Sequence, residues 1–133
     1  MYTVKQVLEE LDRLEFSHFG PLNNRGSIFK RWLGEIWGDE KQVDDCYCRV
    51  DKAREEPMFR LLALASKRVW VITLGLNGYD ASSFITGDIS SLQLKNVAGT
   101  VTLKIGIDEA AQEVTATGND GQRLISLHRQ LSA

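Results

Sequence analysis

The sequence predicts an α+β fold. An antiparallel, strongly bent sheet or partial barrel is plugged by a C-terminal helix and preceded by two N-terminal helices. Three observations predict it. Residues 58–74, MFRLLALASKRVWVITL, hold two apolar runs of strand length parted by Ser66-Lys67-Arg68, which reads as a hairpin. Ser91-Leu92-Gln93-Leu94-Lys95 and Thr100-Val101-Thr102-Leu103-Lys104-Ile105 alternate polar with apolar, as strands do that bury one face and wet the other. Apolar residues recur at helical spacing before and after these strands.

The hairpin makes the strongest demand. Along its first strand Leu62 and Leu64 face one way, and Leu61, Ala63 and Ala65 the other. Along its second, Trp70, Ile72 and Leu74 oppose Val69, Val71 and Thr73. Both faces are largely apolar, so the pair needs cover on two sides, or a partner chain on one.

The other elements follow in order. Val4, Val7, Leu8, Leu11 and Leu14 give an amphipathic helix over residues 3–14, with Thr3 and Gln6 as a capping box. Glu9, Glu10 and Asp12 form its outer face, and Asn23-Asn24-Arg25-Gly26 is a turn. Ser27 caps a second helix reaching Trp37, with the stripe Phe29, Leu33, Ile36 and Trp37 and a stop at Gly38. Residues 39–42 form a single turn, 46–50 a short strand and 51–57 a charged loop. After the hairpin come a turn-rich loop at 75–80, a strand at 82–86, a break at Gly87-Asp88 and a strand to Val97. Ala98-Gly99 turns tightly into residues 100–106, and residues 108–111 form a loop. The last strand spans 112–117. Gly118-Asn119-Asp120-Gly121 punctuates, and Asp120 caps a closing helix with Leu124, Ile125, Leu127 and Leu131 inward. Consecutive short strands joined by tight turns favour antiparallel pairing, and the last helix is the natural plug. Residues 1–45 are expected to form a helical extension and residues 46–133 one compact barrel domain.

Composition bounds the function. At 133 residues the chain is one domain with room for a core, and 43% hydrophobic with 26% charged residues is globular. The net charge of -2 argues against nucleic acid as a partner. The first 20 residues carry charges throughout, and no run approaches the roughly 20 apolar residues of a membrane span. With two cysteines and no secretory signal, a cytoplasmic location and free thiols are expected.

Four segments carry a family resemblance. They are Leu33-Gly34-Glu35-Ile36-Trp37-Gly38-Asp39-Glu40, residues 62–72 with their basic pair, Phe84-Ile85-Thr86-Gly87-Asp88-Ile89-Ser90-Ser91-Leu92, and the helix after Gly118. In that order and spacing, residues 26–133 resemble the bacterial pleckstrin-homology-like domains, in their short YokE-like branch. One departure lies at the hairpin turn, where that family has an Asp or Asn before the basic pair and this chain has only Ser66. The resemblance implies a fold and no catalytic residues.

It also directs attention to Lys52 and Arg54, between the first two strands. In lipid-binding relatives of that fold, basic residues there hold phosphates by charge-assisted hydrogen bonds. Glu55 and Glu56 offset that field, so a solvated loop is the plainer reading. Lys67 and Arg68 stand at the hairpin turn, as turn chemistry or as a contact to an anionic partner. Cys46 and Cys48 point to one face of a strand. A metal would want further ligands, a disulfide at this spacing would be strained, and buried apolar cysteine is the default. His18 and His128 have no nucleophile or carboxylate partner at a telling spacing, and Asp44-Asp45 reads as solvated surface. Trp37 and Trp70 fit core positions. Trp32 lies off the helical stripe and is the candidate anchor of a protein interface.

No phosphate-loop, dinucleotide, zinc-protease or nucleophile-elbow motif occurs. The expectation is a non-enzymatic binding or self-assembly module without a cofactor. Its candidate partners are a second copy, a protein or peptide, and, more weakly, anionic lipid. The alternative is a cone-shaped α+β domain of the nuclear-transport-factor-like kind, enclosing a small-molecule or catalytic pocket.

Overall fold

Ser66 and Lys67 form the whole connection of the central hairpin. Both adopt positive φ, 54° and 60°, so the link is a two-residue turn of the kind whose twist matches its strands. Arg68 is not part of the turn but the first residue of the next strand. The computed structural model describes residues 2–3, 6–7, 9–10, 26–38, 42–53, 56–75 and 77–132. Among them the elements are β1 (Tyr2–Thr3), α1 (Gly26–Trp37), β2 (Gln42–Val43), β3 (Asp45–Ala53), β4 (Glu56–Ala65), β5 (Arg68–Leu74), β6 (Tyr79–Ile85), β7 (Ser91–Val97), β8 (Thr100–Gly106), β9 (Gln112–Thr117) and α2 (Gly118–Ser132). Single 3-10 turns occupy Thr86–Asp88 and Asp108–Ala110. The fold is α+β, with antiparallel sheets of order β3-β4-β5-β6 and β7-β8-β9 and a C-terminal helix.

The chain divides into two compact units. The first comprises Met1–Ser66 and Trp70–Ser83. Its core joins Phe29, Leu33 and Trp37 of α1 to Cys46, Cys48, Phe59, Leu61, Ala63, Ile72 and Leu74 of the sheet. Helix α1 ends because Gly38 enters the left-handed region at φ 78° and its N–H donates to the Gly34 carbonyl at 2.8 Å. The other face of the β3–β4 pair is buried too, through Asp45, Tyr47, Leu62 and Leu64. Both faces of β4 are therefore withdrawn from water from Leu61 to Ala65, as their composition requires.

The second unit comprises Lys67–Val69 and Phe84–Ala133. Helix α2 packs across β8 and β9. Val101, Leu103 and Ile105 alternate inward on β8 and are buried, as are Leu124 and Leu127 on α2. Gly106 closes this sheet against the next turn: a Cβ there would stand 2.4 Å from Cα of Ala111, so no larger residue fits. Ser90 and Asp108 latch the same corner. The Ser90 hydroxyl donates to Asp108 Oδ1 at 3.1 Å and accepts the Asp108 N–H at 2.6 Å.

Several expectations change. One N-terminal helix, α1, is described whole. Gln6, Val7, Glu9 and Glu10 are also helical, but Thr3, expected to cap that helix, pairs with Gln42 in an antiparallel bridge. The rest of that segment, with His18, lies outside the described residues. Residues 51–53 and 56–57 are strand rather than loop: β3 and β4 stay in register through Lys52↔Pro57 and Ala53↔Glu56. Ladder hydrogen bonds are indifferent to side-chain charge, so a charged stretch can continue a strand. Helix α2 begins at Gly118, which puts Asp120 in its first turn rather than at its cap. There a carboxylate still favours the helix through its dipole.

The turn gives a direct test. Left-handed backbone suits Asn-Gly far better than Ser-Lys, so Ser66→Asn with Lys67→Gly should stabilise the chain by about 1–2 kcal/mol. A urea midpoint that rises at constant slope would show this; an unchanged or lower midpoint would mean that the native pair makes interactions that offset its strain.

Candidate functional site

A line of four rings runs from the core of the first unit to its surface. Phe59 and Phe29 meet edge to face at 5.3 Å and 88°, and both are 1% exposed. Phe29 lies against Trp32 at 5.7 Å and 43°, and Trp32 against Tyr79 at 5.6 Å and 50°. Trp32 is half-buried and Tyr79 is 39% exposed. Helix periodicity builds the middle of the line, since Phe29, Trp32 and Glu35 stand three apart on α1. Strand β6 supplies Tyr79 at its first residue.

The outer end of the line is fixed. The Tyr79 hydroxyl donates to Glu35 Oε2 at 2.9 Å. That hydrogen bond holds the Tyr79 pKa above its ordinary 10.0, with desolvation and the Glu35 charge acting in the same direction. The surface is therefore a rigid amphipathic one: two rings with little rotamer freedom left to lose, and a polar rim. Such surfaces are suited to protein contacts. Trp32, expected as an exposed anchor, is the second ring of this patch, held between Phe29 and Tyr79. Tyr79 and Glu35 were not expected. They lie 44 residues apart, and the glycines before Tyr79 mark it in the sequence as loop.

The basic candidates fall in two places. Lys52 is on β3 and pairs with Pro57 at the start of β4, while Arg54 lies outside the described residues. Lys67 sits in the turn after the end of β4, and Arg68 begins β5; both are exposed. The Lys67 carbonyl accepts the Thr86 N–H at 3.0 Å, which ties the turn to the end of β6.

Asp45 corrects the reading of Asp44-Asp45 as solvated surface. It is 4% exposed, and its Oδ1 accepts the Cys46 N–H at 2.9 Å. A carboxylate can be withdrawn from water when a local backbone donor receives it. Cys46 and Cys48 are buried and not in a disulfide, with their sulfurs 3.5 Å apart. Trp37 and Trp70 pack edge to face at 6.1 Å and 89°, and both indole Nε1 atoms are buried without a hydrogen-bond acceptor. His128 is half-buried on α2. Among the described residues no group of three or more His, Cys, Asp or Glu is placed to hold a metal ion, and no helix is long and apolar enough to cross a membrane. Compared with protein-family models, curated proteins and solved structures, the chain has no match.

The Tyr79–Glu35 bond sets a pH dependence. The folded pKa is raised, so the bond's contribution to stability is complete below the unfolded value near pH 10 and is lost as pH rises through the folded one. Ultraviolet titration of the phenols, with Tyr79→Phe to assign the group, should show Tyr79 ionising late. Glu35→Gln should bring it back toward 10, and a late ionisation unmoved by that change would contradict the stated cause.

Proposed function

We propose that this chain is a non-enzymatic binding module of the pleckstrin-homology-like kind, and that it self-associates through the Trp32–Tyr79 face. The observation that carries the reading is the aromatic line. Its inner rings are locked into the core, its outer ring is oriented by Glu35, and its end is offered to solvent. Two exposed or half-exposed rings held in one geometry lose little entropy on docking. The element order supports the fold assignment: a four-strand meander, a three-strand meander and a closing helix follow one another as the resemblance implies. Glu55 and Glu56, next to Lys52 and Arg54 in the sequence, offset their charge, which favours a protein partner over a phosphate-bearing headgroup.

Light scattering after gel filtration tests this at two protein concentrations. The expected mass exceeds the monomer and rises with concentration, while Trp32→Ala and Tyr79→Ala shift the chain toward monomer. A chain that is monomeric at both concentrations overturns self-association, as does a multimer indifferent to both substitutions.

A further inference from the structure

Cys46 and Cys48 occupy alternate positions of β3 and so share a face of the sheet. They are 4% and 3% exposed, and their sulfurs approach to 3.5 Å. Residues two apart on an extended strand have Cα atoms about 6.6–6.8 Å apart, at the limit of what a disulfide spans. Closing an S–S bond would strain the ladder. Holding one ion between the two sulfurs would not. With metal–sulfur bonds of about 2.3 Å, the length known for zinc, a linear pair of sulfurs spans about 4.6 Å. Opening the present pair to that span takes about 1 Å, which small χ1 adjustments on two side chains supply.

The surroundings select the ion. Structural zinc takes four ligands, and no third protein ligand of the usual kind stands with this pair among the described residues. A soft cation content with two thiolates remains, and thiolate favours monovalent copper. Two thiolates on one such ion leave a net charge of minus one, which an apolar core resists unless dipoles meet it. Trp37 belongs to the same buried cluster and Trp70 packs against it, and the indole Nε1 of each is buried without an acceptor. Cys46 pairs with Ala63, and the two-residue turn puts Trp70 opposite Ala63, so Cys46 and Trp70 lie in one cross-strand row. Entry need not break the middle of a sheet, because β3 is at the end of its sheet.

We propose that Cys46 and Cys48 form a buried two-thiolate site for one soft monovalent cation, with copper(I) as its chemical type. Both S–H protons leave to solvent, both sulfurs bond to the ion, and no oxidation state changes. The test is anaerobic titration of the full, reduced chain with copper(I) against a colorimetric copper(I) chelator. The expected result is one ion per chain, with ultraviolet thiolate-to-copper absorption and quenched tryptophan emission. Cys46→Ala and Cys48→Ala should each weaken binding by more than about 100-fold, beyond what changes outside the ligand set produce. Circular dichroism checks that the variants fold. If they do not, the native chain decides alone: copper left wholly with the chelator overturns the site. Equal retention by a folded double variant, or zinc outcompeting copper(I) at the thiols, overturns it as well.

Discussion

From Leu61 to Ala65, five consecutive side chains of β4 are buried, and they alternate between both faces of the sheet. A strand of that composition is stable only where neither face meets water. Each such leucine contributes about 1.5–3 kcal/mol when fully buried, and leaving one face wet would forfeit most of the gain on that side. Helix α1 presents Phe29, Leu33 and Trp37 to the core that holds Leu61 and Ala63, while Leu62 and Leu64 are buried with Tyr47 on the opposite face. The two left-handed residues of the turn are tolerated because the strands on either side have so much apolar surface to withdraw.

The candidate surface depends on the same constraint. Phe29 is pinned between Phe59 of β4 and Trp32, so the position of Trp32 is inherited from the core rather than set at the surface. Tyr79 and Glu35 then fix the outermost ring through a single hydrogen bond. Core packing thus preorganises a contact surface, and preorganisation is what makes a small aromatic patch useful for binding. The thiol pair and Trp37 belong to one core cluster, and Trp70 packs against it. They bring polar and polarisable atoms into a place that hydrophobic burial alone does not call for.

Much of this was legible in the sequence. Residues 91–97 and 100–106 emerge as β7 and β8 because alternation assigns each side chain its face. The hairpin and the Ala98-Gly99 turn were equally plain. What stayed hidden depends on pairing across the chain. The charged residues 51–53 look like loop and become strand because β4 supplies ladder partners. Asp45 reads as surface and is buried, with its Oδ1 accepting the Cys46 N–H. The Tyr79–Glu35 bond joins residues 44 apart and has no local signature. The place of Trp32 off the helical stripe marks it in the sequence; its ring partners carry no such mark.

Native-state hydrogen exchange followed residue by residue addresses the claim that the two-sided hairpin holds the first unit together. Amides of residues 61–65 and 70–74 should be the last in that unit to exchange, opening only with its global unfolding, and α1 should exchange sooner. If α1 or the ends of β3 outlast β4 and β5, the hairpin is not the element on which the rest depends.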